Sequence, residues 1–166
     1  MKEYKVIFTD LDGTLIDTIS GDTFPKGIWD MRIRFEVLDI IKKLNPEYVF
    51  IISNQGGIEK GFVNEFHFCV KLGFIVHSIE EYCDTAVDYY YCSSNNKDDE
   101  NKKPNYGMLK DALIENDINY NKSEMLMIGD ASGKPGQFSD SDKKTAENFG
   151  IDYLDVEDFC KTSFNN

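Results

Sequence analysis

Two aspartates, Asp10 and Asp12, close a short apolar run, Val6-Ile7-Phe8-Thr9, and lead into Gly13-Thr14. Carboxylates this close repel, and each resists ionising unless a cation lies between them. They lie two apart at the end of a strand, whose two-residue period points both side chains to the same side. A pair so placed suits Mg²⁺, a hard cation that takes carboxylate oxygens. Gly13 permits a sharp exit from the strand, and Thr14 offers a hydroxyl and a backbone N–H to a phosphate. Aspartates that merely cap a turn have the same spacing, so the pair gains meaning only from its company along the chain.

Three further polar clusters come after apolar runs or precede helices. Ser53-Asn54-Gln55 comes after Tyr48-Val49-Phe50-Ile51-Ile52, Lys102-Lys103-Pro104 precedes a helical pattern, and Gly129-Asp130 comes after Met125-Leu126-Met127-Ile128. The elements that must hold these clusters alternate. Apolar β-branched runs predict strands at 6–9, 48–52, 86–91, 125–128 and 151–154. Apolar residues at helical spacing predict helices at 34–44, 63–82 (with Gly73 a candidate break), 107–115 and 141–148. Residues 93–103 are polar and charged and predict the most mobile loop. Such alternation predicts an α/β fold, a Rossmann-like doubly wound parallel sheet in one domain spanning 1–166. Ligands of these sheets bind beyond the carboxyl ends of the strands, where the polar clusters fall.

The bulk properties narrow the field. A net charge of −12 repels nucleic acid at long range, so a polyanionic substrate needs locally positive ground. The apolar run near the N-terminus is too short for a signal segment and no run reaches membrane-spanning length, which predicts a cytoplasmic protein without membrane association. Cys69, Cys83, Cys92 and Cys160 form no CxxC pair and read as reduced thiols.

Taken in order, Asp10-Leu11-Asp12-Gly13-Thr14, Ser53-Asn54-Gln55, Lys102-Lys103-Pro104 and Gly129-Asp130 resemble the signature of the haloacid dehalogenase (HAD)-like hydrolases over most of the chain. The resemblance implies a phosphatase with Asp10 as nucleophile, forming an aspartyl-phosphate. Asp12 would be the general acid and then the base. Ser53 would bind a phosphoryl oxygen, Lys103 rather than Lys102 would neutralise charge at the nucleophile, and Thr14 and Asn54 would contact the phosphate. Magnesium would be held by Asp10, Asp12 (through its backbone carbonyl), Asp130 and a second acid, for which Asp142 fits the pattern and Asp140 is the rival.

Two branches of that superfamily compete. Asp10 to Ile16, Ser20-Gly21, Phe24-Pro25, Arg32-Ile33, and Gly129-Asp130-Ala131-Ser132-Gly133-Lys134-Pro135 with Phe138-Ser139 resemble the phosphatase domain of polynucleotide kinase/3′-phosphatase. That implies DNA 3′-phosphate ends as substrate, with Arg32 and Lys134 among the binding residues and only a minimal cap over an open cleft. No GxxxxGK[ST] phosphate loop accompanies it. The segment from Tyr90 to Leu109 is instead similar to histidinol-phosphate and heptose-bisphosphate phosphatases, which implies a small phosphoester. Their zinc loop is broken here, since Ser94 stands at the histidine position and no cysteine lies between Cys92 and Cys160; structural zinc is not expected. A catalytically silent binding domain of the same fold is the third reading, and loss of activity in chelator would separate it from the other two.

Overall fold

The computed structural model describes residues 2–162. Five strands, β1 (Val6–Thr9), β4 (Tyr48–Asn54), β5 (Ala86–Cys92), β6 (Met125–Gly129) and β7 (Asp152–Asp155), form one sheet in the order β5-β4-β1-β6-β7. All pairings are parallel, with Val6 opposite Tyr48 on one side and Met125 on the other.

The unbroken apolar runs result from burial on both faces. Ile7, Val49, Ile51, Leu126 and Ile128 point into one core, and Val6, Phe8, Phe50, Ile52, Met125 and Met127 into the other. The first core is closed by α1 (Phe35–Leu44), α3 (Glu65–Cys83) and α6 (Val156–Lys161), the second by α4 (Gly107–Glu115) and α5 (Ser141–Phe149). Phe8 stacks on Phe50 and meets Phe149 edge-on, so the second core is largely aromatic around β1.

Helix ends are chemically marked. Asn64 accepts from His67 N–H at the start of α3, and Asp155 accepts from Glu157 N–H at the start of α6. Asn45, Asp84 and Gly150 end α1, α3 and α5 in the left-handed conformation.

Four features depart from the sequence reading. Helix α3 runs through Gly73 without a break, because tertiary burial of Phe68, Leu72, Ile75 and Ile79 outweighs the roughly 1 kcal/mol that one glycine costs. A two-stranded antiparallel ribbon, β2 (Ile16–Asp17) with β3 (Arg32–Ile33), carries the excursion that serves as the small cap. The short helices α2 (Gly56–Glu59) and α6 had no sequence forecast. The 93–103 loop takes a pinned path: Asn95 donates to Gly56 O and Glu59, Lys102 Nζ donates to Ser94 O, and Asn105 Nδ2 donates to Lys97 O and Asp99 O.

Candidate active site

Strand β1 delivers its last residues to the carboxyl edge of the sheet. Asp10 N–H still donates to Ile128 O, at 3.0 Å, which fixes its backbone against β6. The chain then turns tightly, with Leu15 and Ile16 N–H donating to Leu11 O and Gly13 N–H to Ile16 O. Gly13 has φ +78°, and a Cβ there would lie 2.2 Å from Asp130 Oδ2. Gly129 is equally constrained, since a Cβ would meet Asp142 Oδ2 at 2.3 Å. The two glycines let three acids converge: carboxylate oxygens of Asp10, Asp130 and Asp142 all lie within 4.8 Å of one another.

Lys103 completes the floor. Its Nζ donates to Asp10 Oδ1 at 2.6 Å, Asp142 Oδ1 at 2.7 Å and Ile52 O at 2.9 Å, so all three protons are placed. Asn54 clamps the lysine's backbone, with Nδ2 donating to Lys103 O and Oδ1 accepting from Lys103 N–H. Burial works to lower the Lys103 pKa, but Asp10 and Asp142 outweigh it and hold the ammonium charged.

The acids carry the opposite strain. Burial above all pushes the Asp10 carboxyl well above the ordinary range, Lys103 opposes this, and Asp142 and Asp130 add to it. Asp130 is pushed up to about 6 by burial and then by Asp142. Asp10 and Asp130, whose charges are disfavoured here, converge with Asp142 on a donor set suited to a hard divalent cation, which would favour the ionised forms of those two. The residues therefore fit magnesium.

The structure separates the forecast residues. Asp10, Asp12, Ser53, Lys103, Asp130, Asp142, Asn54 and Arg32 all line one cleft of about 870 Å³. Asp142, not Asp140, joins the acids: it is buried on the first turn of α5, accepting from Ala131 N–H, while Asp140 is exposed and paired with Lys144. Lys102 likewise points away, to Ser94 O. Ser53 is the penultimate residue of β4, and its Oγ accepts from Gln55 Nε2 at 2.8 Å.

Three expectations need correcting. The strand period does not relate Asp10 to Asp12, because β1 ends at Thr9; Asp12 is exposed in the turn, and its carboxylate accepts from Gln55 Nε2 at 2.8 Å outside the acid trio. Thr14 lies behind the turn rather than on the cleft, with its N–H given to Leu11 O and its hydroxyl buried without a hydrogen-bond partner. Lys134 is also off the cleft, tied to Asp155 at 3.0 Å and Asp158 at 2.6 Å.

Other residues of the site escaped the sequence reading. Gln55 bridges Asp12 and Ser53, and its place in Ser53-Asn54-Gln55 was the signal. Arg34, nearly buried on the cleft wall, donates to Gly13 O at 2.9 Å and to Glu36 and Glu157, bracing the turn. No spacing rule marks it. Phe24 and Phe138 stand on the cleft rim 80% and 103% exposed. Lys71 lies on the buried face of α3, three residues from Phe68 and four from Ile75, a spacing visible in the sequence.

The fold has solved counterparts. A HAD-like phosphatase from Mesorhizobium loti matches with TM-score 0.67 and 21% identity over 91% of this chain and 71% of that one. The D,D-heptose 1,7-bisphosphate phosphatase of B. bronchiseptica, complexed with magnesium and phosphate, matches with TM-score 0.68 and 20% identity over 90% and 78%. Among sequence relatives, the bifunctional polynucleotide phosphatase/kinase of Schizosaccharomyces pombe is 32% identical over 95% of this chain, which spans 38% of that protein's length. The D-glycero-beta-D-manno-heptose-1,7-bisphosphate 7-phosphatase of Haemophilus influenzae is 30% identical over 76% of this chain and 71% of its own. Fold and relatives together define the class as HAD-like phosphatases. Within it, the model of the polynucleotide kinase 3 phosphatase family matches residues 5–160, and the chain belongs to that family.

Proposed function

We propose that this protein is a magnesium-dependent phosphomonoesterase that works through an aspartyl-phosphate on Asp10 and removes the 3′-phosphate from DNA ends. One observation carries the substrate reading: the buried Asp10–Lys103 pair opens into a wide cleft whose rim presents two bare aromatic faces, Phe24 and Phe138. Bare aromatic faces stack on nucleobases without reading sequence, whereas a small sugar phosphate needs an enclosing lid to exclude water.

In this reading a carboxylate oxygen of Asp10 attacks phosphorus, and the bond from phosphorus to the ester oxygen breaks. The Asp12 carboxyl, held by Gln55, gives its proton to the leaving 3′-oxygen. Asp12 then takes a proton from water as the water attacks the phosphorus of the acyl phosphate, releasing orthophosphate and regenerating Asp10. Lys103 holds charge against Asp10 throughout, and Ser53 offers its hydroxyl to a phosphoryl oxygen. Magnesium, held by Asp10, the Asp12 carbonyl, Asp130 and Asp142, would supply charge neutralisation for the phosphoryl oxygens.

The second reading, a small-molecule phosphatase, is favoured by the 30% identity to the Haemophilus influenzae heptose-bisphosphate enzyme. A substrate panel decides between them. With 3′-phosphorylated oligonucleotide, 5′-phosphorylated oligonucleotide, histidinol phosphate and heptose bisphosphate at equal concentration, the 3′-phosphorylated strand should give the highest kcat/KM. Chelator should abolish all turnover. Preference for heptose bisphosphate would reverse the assignment.

A further inference from the structure

Four cations line the cleft, and three already have carboxylate partners within the protein. Lys103 is held by Asp10 and Asp142, Arg34 by Glu36, Glu157 and Gly13 O, and Arg32 faces Asp17 at 3.3 Å. Lys71 is the exception. It projects from the buried face of α3 and is only 6% exposed, yet among the described residues no carboxylate or hydrogen-bond acceptor meets its ammonium. Its one close partner is the Phe68 ring, 5.7 Å from Nζ, which Tyr91 supports edge-on.

Among the described residues the Thr14 hydroxyl is the only fully enclosed side-chain polar atom lacking a partner. The Lys71 ammonium, also without a partner, therefore keeps a window onto the cleft its residue lines. Removing an ammonium from water without an anion to meet it is costly. A helix whose neighbouring positions are Phe68, Leu72 and Ile75 would pack an apolar residue at 71 with less penalty, so the charge answers to something that enters the cleft.

We infer that Lys71 is an anion subsite for a second phosphate group of the substrate, distinct from the phosphoryl group being transferred. The transferred group must reach Asp10, where Lys103 already stands 2.6 Å from the nucleophile. The second phosphate is a backbone phosphodiester if the substrate is a DNA end, and a second phosphomonoester if it is a sugar bisphosphate. The inference deepens the proposed function and rests on its view that this cleft takes a phosphoester.

The test compares wild type, Lys71→Met and Lys71→Arg on an aryl phosphate, a 3′-phosphorylated oligonucleotide and heptose bisphosphate. For the two-phosphate compound that wild type prefers, Lys71→Met should lower kcat/KM about 10-fold relative to the aryl phosphate, mostly through KM, the scale of one lost charged hydrogen bond. Lys71→Arg should restore most of it. For an oligonucleotide, the salt dependence of binding should also lose about 0.7 of a unit in slope, the share of one phosphate contact on a single strand. Both substrates are read on one preparation, so partial unfolding lowers both rates alike and leaves their ratio unchanged. An unchanged ratio, or no rescue by Lys71→Arg, would overturn the subsite. If wild type prefers heptose bisphosphate and the ratio still falls, the subsite stands while the DNA-end assignment fails. If the oligonucleotide is preferred and the ratio does not move, the reverse holds.

Discussion

The floor and the rim of the cleft are built on opposite principles. On the floor, Lys103, Asp10 and Asp142 are buried, hydrogen-bonded to one another and braced by the ends of three strands. On the rim, Phe24 and Phe138 project into solvent from loops. A buried charge network has few workable arrangements, because each ion needs its partner within hydrogen-bond reach. An exposed ring is free to be exchanged at little cost to folding. In the proposed function the floor defines the reaction, and the rim selects what is brought to it.

Substitutions can break that division of labour. Asp10→Asn keeps the shape of the floor and removes the attacking oxygen, so turnover should fall on the order of 10³-fold or more on every substrate, with the circular dichroism spectrum unchanged. Near-normal turnover, with deamidation excluded by mass, would refute the nucleophile. Lys103→Met attacks the floor's stability as well. Leaving Asp10 and Asp142 without their cation should cost about 3–5 kcal/mol in urea unfolding without magnesium. Added magnesium should recover part of this, since a ligand that binds only the folded state stabilises it.

A third test lies beside the floor. Burial works against the charge of Asp155, but hydrogen bonds from Ser132, Gln137 and Lys134 and the Glu157 N–H hold its carboxyl down at about 2. Its folded pKa lies below the unfolded value of about 3.9, so its contribution, on the order of 2 kcal/mol, is present above pH 4. That contribution is lost as pH falls toward 2. Asp155→Asn should flatten the acid limb of the stability curve in that window, measured by thermal melts from pH 2 to 6. The rim should give the smallest effect. Phe24→Ala or Phe138→Ala should raise KM for the 3′-phosphorylated oligonucleotide about 10-fold each. Neither should shift Tm or the KM for an aryl phosphate, and an equal loss on both substrates would erase the distinction between floor and rim.

The same division governs what could be read from the residues alone. The strands of the sheet stood out because burial on both faces leaves an unbroken apolar run, as in Val6–Thr9 and Met125–Gly129. Asp130 stood out because it follows such a run, and Lys103 because it stands directly before Pro104 ahead of a helical pattern. The β2–β3 ribbon did not, since two residues per strand carry no periodicity, and α6 at six residues spans less than two turns. Asp12 was assigned a strand's geometry although the strand ends at Thr9, three residues before it. Lys134 looked like a substrate contact because its segment resembled one, yet the partners that claim it, Asp155 and Asp158, lie over 20 positions along the chain. Lys71 shows the converse: its helical spacing was visible, but only packing reveals a charged residue where an apolar one is expected.

The Asn54 clamp has one more consequence. Its amide gives a proton to Lys103 O with one end and takes one from Lys103 N–H with the other, so the two ends are not interchangeable. Hydrolysis of that amide, a gain of about one mass unit with no change in shape, would set a carboxylate oxygen against the Lys103 carbonyl. The lysine's backbone would be pushed from its seat while Asp10, Asp130, Asp142 and the lysine itself stayed chemically intact. Chemical ageing at the residue that seats the lysine's backbone would thus disable the floor, and the lesion would be seen by mass before it was seen by any change in fold.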